Sequence, residues 1–307
     1  VTHVGYEDEV QLAKELKDVD LIVGGHSHTL LGDPGLPGIT PGPPYPTVVT
    51  NKSGDPALVV QAWQWGLVLG RIQITFDDAG RVMTATGGPI PVTQDIPQDP
   101  VVASMIRAFD IPVAAVKDAV IGTTKNEITR EGQANLAAQL IADAQLEATR
   151  RFGSVAAFIN AGGVRSGIPS GDITYGEALS VQPFGNSLVV LEVSGAELLA
   201  ALKRGVGTGG MLLPSRGTSY SASPDGVEDV LIDGKPLDTK ATYRITVNNF
   251  TAGGGDNHQE LKATKGYRLD TGIVDIDALT DYIKSHSPLD LHDEHRTGGQ
   301  QRLPLAG

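Results

Sequence analysis

The segment Asn160-Ala161-Gly162-Gly163-Val164-Arg165 lies near the middle of the 307-residue sequence and determines how its neighbours are interpreted. An apolar run, residues 155–159, precedes the segment and predicts a short buried strand that ends at Asn160. Two glycines then let the backbone approach a ligand closely, and an arginine follows them. Because a guanidinium offers a rigid fork of hydrogen-bond donors, Arg165 is a candidate ligand for a phosphate or a carboxylate.

Two further segments place an aromatic ring in a loop that is rich in proline or glycine. The first, Gln182-Pro183-Phe184-Gly185-Asn186, holds Phe184 between a proline and a glycine. The second, residues 249–256 (N-F-T-A-G-G-G-D), holds Phe250 and ends on Asp256. A ring in such a loop has little reason to be in the core, and it can stack on a flat ligand. Together with the arginine these features predict a nucleotide pocket, with rings for the base, a guanidinium for phosphate and a carboxylate for the ribose hydroxyls.

The three segments, in this order and at this spacing, resemble the nucleotide-recognition loops of the 5′-nucleotidase family. The resemblance extends over nearly the whole chain and implies two domains joined by a linker. Residues 1–95 would be the C-terminal portion of a calcineurin-like α/β metallophosphatase sandwich. Residues 96–119 would be a helical linker, and residues 120–307 an α+β nucleotide-binding domain of the 5′-nucleotidase type.

The resemblance also implies roles within the pocket. Phe184 and Phe250 would clamp the base between them, and Asp256 would accept hydrogen bonds from the ribose. Arg165 would bind the phosphate. The other candidates are a second phosphate-binding arginine, a neighbour of the phosphate or ribose, a base-edge contact and a glycine beside the nucleoside, namely Arg130, Asn160, Asn186 and Gly210.

Each of these residues also has an ordinary structural interpretation. Arg165 could be a solvated loop side chain, the two phenylalanines hydrophobic anchors, and Asp256 a carboxylate that stabilises a turn. Arg130 aligns with the second phosphate-binding arginine of the family only if one residue is inserted further along the chain. The sequence departs from the family at residues 257–258 (N-H), where a glycine and an aromatic residue are usual. The base preference is therefore left open.

Hydrophobic periodicity predicts the helices and strands that flank these segments. We expect helices over residues 7–18, 97–119, 133–150, 195–204 and 275–285. We expect strands over residues 21–23, 47–50, 58–63, 67–76, 188–193, 227–232 and 243–247. Pro112 should interrupt or kink the second helix, because proline removes a backbone donor and clashes with the preceding turn.

Three histidines near the start of the chain form a second candidate site. His3 stands in T-H-V-G, and His26 and His28 stand in G-G-H-S-H-T after a predicted buried strand. In an extended stretch, side chains at i and i+2 project to the same side. Neutral imidazole is a common nitrogen ligand for zinc, manganese and iron. The ordinary alternative is a surface turn with solvated histidines.

The family resemblance implies two divalent metal ions, zinc, manganese or similar, with His3 and His26 on one ion and His28 on the other. The family's remaining ligands, and the histidine that protonates the leaving group, come from segments upstream of His3. Only two residues precede His3, so we predict no catalytic residue in this chain and no phosphatase activity from it alone. It would be half of a nicked or split enzyme, a fragment of a longer precursor, or a truncation that kept only binding.

Composition narrows the classes of function. A net charge of −12 argues against a nucleic-acid or anionic-membrane surface, which would need a basic stripe. Cysteine is absent, which excludes disulfides and thiolate metal sites. No apolar run approaches the length of a membrane span.

The implied activity is metal-dependent hydrolysis of nucleoside 5′-monophosphates. The alternatives are a 2′,3′-cyclic nucleotide or nucleotide-sugar phosphodiesterase, and a non-catalytic surface protein that binds nucleotides or packs in an assembly. The expected partners are a nucleotide and a separate polypeptide carrying the N-terminal half. The family resemblance implies an extracellular, periplasmic or cell-envelope location.

Overall fold

A computed structural model of the chain describes residues 1–130, 135–206, 210–223 and 226–291. The chain divides into two compact units, the first being Val1–Ser104 and the second beginning at Met105. The division falls within the helix Pro100–Lys117. The predicted domain boundaries at residues 95 and 119 lie on either side of this division and stay predictions. Among the described residues, no helix combines the length and the apolar character needed to cross a membrane.

The first unit is built on a short three-stranded sheet and a long β-hairpin. Its elements in chain order are α1 (Tyr6–Glu15), β1 (Leu21–Val23), β2 (Thr47–Thr50), β3 (Pro56–Val60), β4 (Val68–Phe76) and β5 (Val82–Pro91), after which α2 (Pro100–Lys117) follows. The sheet has the order β1-β3-β2, with β1 parallel and β2 antiparallel to β3. Ala13 of α1 packs with Ile22 and Val59 in a small core.

Pro112 does not interrupt the second helix, because α2 continues through it to Lys117; the other predicted outcome, a kink at Pro112, stays a prediction. Proline removes the hydrogen bond to the carbonyl of residue 108, four positions earlier. Ala108 is exposed, so water can bond that carbonyl and the helix can continue.

The second unit is an α+β arrangement around a five-stranded sheet of order β10-β7-β14-β9-β15. Its described strands are β6 (Val120–Thr124), β7 (Ala156–Asn160), β8 (Gly171–Thr174), β9 (Ser187–Ser194), β10 (Leu212–Pro214), β11 (Ser219–Ser223), β12 (Gly226–Ile232), β13 (Lys235–Pro236), β14 (Thr242–Asn248) and β15 (Arg268–Val274). Its described helices are α3 (Leu136–Thr149), α4 (Tyr175–Val181), α5 (Gly195–Gly205), α6 (Asn249–Ala252), α7 (Gln259–Lys262) and α8 (Asp275–His286). The predicted start of α3 at Gln133 lies outside the described residues.

A hydrophobic core lies on each side of the sheet, and strand β7 is therefore buried on both faces. Ile159 packs in one core with Leu140 of α3 and Leu279 of α8. Phe158 points to the opposite face and packs in the other core with Leu198 of α5. This alternation along one strand fixes the register of β7 and therefore the position of Asn160 at its end.

The sequence-predicted segments converge on one edge of this sheet. β7 and β14 run parallel, so they end at the same edge, with Asn160 and Asn248 as their last residues. β9 runs antiparallel to β14 and begins beside its end, where Leu188 pairs with Asn248. β10 likewise begins beside the end of β7, where Leu212 pairs with Asn160. The loops that carry Arg165, the two rings and Gly210 therefore enter or leave the sheet at this edge.

Candidate nucleotide-binding site

A chain of buried amides fixes the carboxylate of Asp256. Asn160 Nδ2 donates to Asp256 Oδ2 at 2.7 Å, and Asn248 Nδ2 donates to Asn160 Oδ1 at 3.0 Å. Asn248 Oδ1 in turn accepts from the backbone N–H of Thr251 at 2.8 Å and caps α6. Asn160 therefore acts on the site through Asp256. Asn248 was not predicted, although an asparagine directly before a short helix is a typical N-cap signal.

The backbone around Asp256 has an unusual conformation. Asp256 and its neighbour Asn257 have φ values of 49° and 65°, in the left-handed region that side chains other than glycine rarely adopt. A Cβ added to Gly210 would stand 2.8 Å from the Cβ of Asp256, so only glycine fits there without displacing the carboxylate. Strained, tightly packed turns of this kind concentrate at ligand sites.

Arg165 connects its own segment, residues 160–165, to the segment that carries Phe184. Its backbone N–H donates to the carbonyl of Val181 at 2.9 Å, which ties the arginine loop to the end of α4. Its guanidinium carbon lies 5.1 Å from the centroid of the Phe184 ring, within the range of a cation–π contact. The arginine and the first ring are therefore in direct contact.

The charges around Arg165 favour an anion. Burial lowers the pKa of Arg165, the neighbouring Arg130 guanidinium lowers it further, and the Asp256 carboxylate partly offsets both. A phosphate that binds between two mutually repelling guanidinium groups lowers the free energy of the site. The arrangement therefore has an electrostatic preference for a ligand that carries an anionic group.

Both predicted stacking rings are half exposed, at 49% for Phe184 and 47% for Phe250, and neither contributes to the core. Phe184 lies in a turn, as expected, whereas Phe250 belongs to the single-turn helix α6. A Cβ on Gly255 would stand 2.5 Å from the Phe250 ring, so that ring lies against the glycine backbone. Exposed aromatic area of this kind remains available to a flat ligand.

Asn186 is engaged in a structural contact. Its Nδ2 donates to Asp275 Oδ2 at 3.2 Å, and its carbonyl accepts from the backbone N–H of Asp275 at 2.8 Å. Asp275 is the first residue of α8 and is fully buried. Asn186 thus ties the loop of Phe184 to α8. Its role as a base-edge contact stays a prediction.

The Asp275 carboxylate makes stability depend on pH. Burial raises the pKa of Asp275 above its usual 3.8, and hydrogen bonds from Asn186 and Ile276 partly offset this. A carboxyl group whose pKa is higher in the folded protein than in the unfolded chain stabilises the fold at pH values below its unfolded-state pKa. That stabilisation is lost as the pH rises through its folded-state pKa. We therefore expect the free energy of unfolding of the wild type to fall relative to that of Asp275→Asn as the pH rises above about 4, the ordinary pKa of an aspartate. Denaturant unfolding at several pH values measures this, and a pH-independent difference would contradict it.

The three candidate metal ligands occupy two environments in the first unit. The rings of His3 and His26 meet edge to face with centroids 5.1 Å apart. The ring of His28 packs edge to face on Trp65, also at 5.1 Å. The expected extended backbone is wrong, because His26 and His28 have φ values of 79° and 54°. The strand ends before them, and the chain turns sharply at each histidine.

The histidines present fit only part of a metal site. Structural and catalytic zinc ions take at least three protein ligands. Within the described ranges, no group of three or more histidine, cysteine or acidic side chains is arranged to hold a metal ion. His3 and His26 form a pair of imidazoles that could contribute to one ion, as the family resemblance implies.

A buried carboxylate holds the histidine loop in place. Glu9 is fully buried, and its Oε1 accepts from Thr2 Oγ1 and from the backbone N–H of Gly25, each at 3.0 Å. Its Oε2 accepts from Gln61 Nε2 at 3.2 Å. Gln61 Oε1 accepts in turn from the backbone N–H of Thr29 at 2.6 Å. Glu9 therefore connects the residue before His3 with both ends of the segment that carries the other two histidines.

We expect Glu9→Gln to lower the free energy of unfolding of the first unit by about 1–3 kcal/mol, the cost of leaving a buried polar group without a partner. The new amide nitrogen would face the donor of Gln61 or the N–H of Gly25 in either orientation. The control is Glu15→Gln on the same helix, where an exposed carboxylate accepts from Gln11. Equal unfolding free energies of the two variants would show that the Glu9 network does not stabilise the loop.

Comparisons with known proteins give a consistent result. A family model described as the 5′-nucleotidase C-terminal domain matches residues 120–263. The snake venom 5′-nucleotidase of Macrovipera lebetinus is 31% identical over 317 residues, which cover 92% of this chain and 77% of the venom protein. The crystal structure of a 5′-nucleotidase precursor from Thermus thermophilus is 39% identical with a TM-score of 0.80, covering 98% of this chain and 63% of that one.

The chain therefore belongs to the 5′-nucleotidase family, whose members are phosphoric ester hydrolases. This confirms the predicted fold class, the C-terminal part of an α/β metallophosphatase sandwich followed by an α+β domain of the 5′-nucleotidase type. The trifunctional nucleotide phosphoesterase protein YfkN of Bacillus subtilis is 32% identical over 308 residues, covering 92% of this chain. The chain spans 20% of the length of that protein.

Proposed function

We propose that the second unit binds a nucleoside 5′-monophosphate at the sheet edge and that the chain takes part in hydrolysis of the phosphate ester. The observation that carries the proposal is the convergence of Arg165 with Phe184 and Asp256 at one edge of the sheet. A phosphate, a planar base and a ribose need these three types of group. The relatives named as 5′-nucleotidases and as a nucleotide phosphoesterase support the same class of substrate.

Each part of the nucleotide has a proposed partner. The phosphate binds between Arg165 and Arg130, whose mutual repulsion it relieves. The base stacks on the exposed faces of Phe184 and Phe250. The ribose hydroxyls donate to Asp256, which the asparagine chain holds in position. Gly210 leaves room for this carboxylate.

The histidines provide the chain's contribution to a two-metal site. His3 and His26 would hold one divalent cation and His28 the other, in keeping with the two environments of their rings. Such cations, when bound, polarise a phosphoryl oxygen and supply a hydroxide nucleophile at neutral pH. The remaining ligands would come from a polypeptide outside these 307 residues. The part that this chain carries out by itself is then substrate binding.

The proposed location is extracellular, periplasmic or at the cell envelope. One relative is named as a venom protein, which supports a role outside the cytoplasm.

Calorimetric titration of the chain with AMP, adenosine, inorganic phosphate and 2′,3′-cyclic AMP tests the proposal. We expect AMP to bind more tightly than adenosine or phosphate, because only AMP fills the ring, ribose and arginine positions together. Tighter binding of the cyclic nucleotide would favour the phosphodiesterase alternative. Absence of AMP binding, or equal affinities for AMP and phosphate, would contradict the proposed nucleotide site.

A further inference from the structure

His258 is a fully buried histidine with a partner at each ring nitrogen. Its Nε2 lies 2.7 Å from the carbonyl oxygen of Gly210, and its Nδ1 lies 3.0 Å from Glu260 Oε1. A backbone carbonyl only accepts hydrogen bonds, so Nε2 must carry a proton. The bond to Glu260 needs a second proton, which either the ring or the carboxyl group supplies.

The surroundings of Glu260 place this second proton on the ring. Glu260 Oε2 lies 3.7 Å from Arg204 Nε on α5. A nearby guanidinium favours the ionised carboxylate, which can only accept. His258 is then an imidazolium that donates to both partners, and its buried charge is compensated by Glu260.

Gly210, whose carbonyl is the partner of His258 Nε2, also lies against Asp256 of the proposed site. A Cβ on Gly210 would stand 3.4 Å from His258 Nε2 and 2.8 Å from the Cβ of Asp256. Among the described residues, Glu260 on α7 pairs with the ring, Arg204 on α5 pairs with Glu260, and Asp256 in the preceding turn lies against Gly210. His258 connects the loop of Gly210 to the turn that carries the Asp256 carboxylate, two residues before it in the chain.

We infer that His258 is a positioning residue of the nucleoside pocket, which it maintains as a doubly protonated ring bridging Gly210 and Glu260. The effect of His258 on nucleoside binding rests on the proposed function, because the proposed function assigns the ribose to Asp256. The left-handed conformation at Asp256 and Asn257 needs support from its surroundings, and the two bonds of His258 provide it. Loss of one ring proton removes one of these two bonds. The ring then no longer holds either Gly210 or Glu260 of α7.

Nitrogen-15 NMR of the imidazole tests the protonation state without any nucleotide. We expect hydrogens on both Nδ1 and Nε2 of His258 at neutral pH in the wild type. In Glu260→Gln, which removes the compensating charge, we expect one hydrogen only, with shifted backbone amide signals at Gly210 and Asp256. A neutral ring in the wild type would overturn the inference, and so would unchanged signals at Gly210 and Asp256 in the variant.

Nucleoside binding tests the consequence. We expect Glu260→Gln and His258→Phe to lower adenosine affinity by about tenfold or more, the loss expected for one hydrogen bond to a charged group. His286→Phe, at an exposed histidine on α8, is the matched control and should bind as the wild type does.

Equal adenosine affinities of the wild type and of His258→Phe would overturn the positioning role. The two proposals fail in different ways. A wild type that binds neither adenosine nor AMP contradicts the proposed function, and with it the role of His258 in the pocket. A wild type that binds both ligands with a neutral His258 contradicts the present inference alone.

Discussion

Replacement of Arg165 by lysine should lower the affinity for AMP by about 10- to 150-fold, the equivalent of one strong hydrogen bond to a charged group. Lysine keeps the positive charge but loses both the planar fork that matches a phosphate and the stacking on Phe184. Adenosine has no phosphate, so its affinity should change little. Calorimetric titration of the variant with both ligands measures the difference.

Arg151→Lys is the matched control for this substitution. Arg151 also stands over an aromatic ring, with its guanidinium carbon 4.9 Å from the centroid of Phe152, but it belongs to the turn after α3. It should bind AMP as tightly as the wild type. An equal loss of AMP and adenosine affinity in Arg165→Lys would show that the arginine shapes the loop and does not bind phosphate.

The second large effect is expected from the rings. Phe184→Ala and Phe250→Ala should each weaken AMP binding by about 5- to 150-fold, since a base stacked on an aromatic side chain contributes about 1–3 kcal/mol. Both side chains are half exposed, so truncation removes little core packing and the fold should be retained. Thermal unfolding of each variant checks the fold, and titration with AMP and adenosine gives the affinities.

Phe76→Ala provides a control of matched exposure. Its ring is 51% exposed, close to the values for the two site rings, and it lies on β4 in the first unit. This variant should lose no affinity for either ligand. Unchanged AMP binding in both site variants would mean that the rings are ordinary surface hydrophobic residues.

The fold could be predicted best where apolar runs are short and bounded by polar residues. The strand Leu21–Val23 and the strand Thr47–Thr50 have the predicted bounds. The hairpin strand Val82–Pro91 was missed, because its glycines and threonines lack an apolar alternation. The pair β8 and α4 was also missed. Glycine and proline precede β8, and α4 has only 7 residues, too short for a helical period to be recognised.

The site was predictable in its residue types and much less so in its contacts. Rings in segments rich in glycine or proline, together with an arginine, indicate a ligand from the sequence alone, and the structure leaves both rings half exposed. That Asn160 holds Asp256 depends on two strands that are far apart in sequence and parallel in the sheet. No local pattern carries that information. The departure at His258 was visible in the sequence, but its two acceptors appear only in the folded chain.

The histidine segment shows the limit of a periodicity argument. Alternation predicts a common direction for His26 and His28 only if the backbone is extended. Both residues are left-handed, and they contact His3 and Trp65 respectively. The conformation of the turn after the strand depends on the side chains packed against it, here the hydrogen-bonded network of Glu9 and Gln61. The pattern of apolar residues in the sequence does not predict that network.

The most direct measurement is the AMP affinity of the double variant Phe184→Ala/Phe250→Ala, compared with the affinity of the wild type for ribose 5-phosphate. If the two rings hold the base while Arg165 and Asp256 hold the rest, the double variant should bind AMP no more tightly than the wild type binds ribose 5-phosphate. Wild-type affinity for AMP in the double variant would contradict a nucleotide site at this sheet edge.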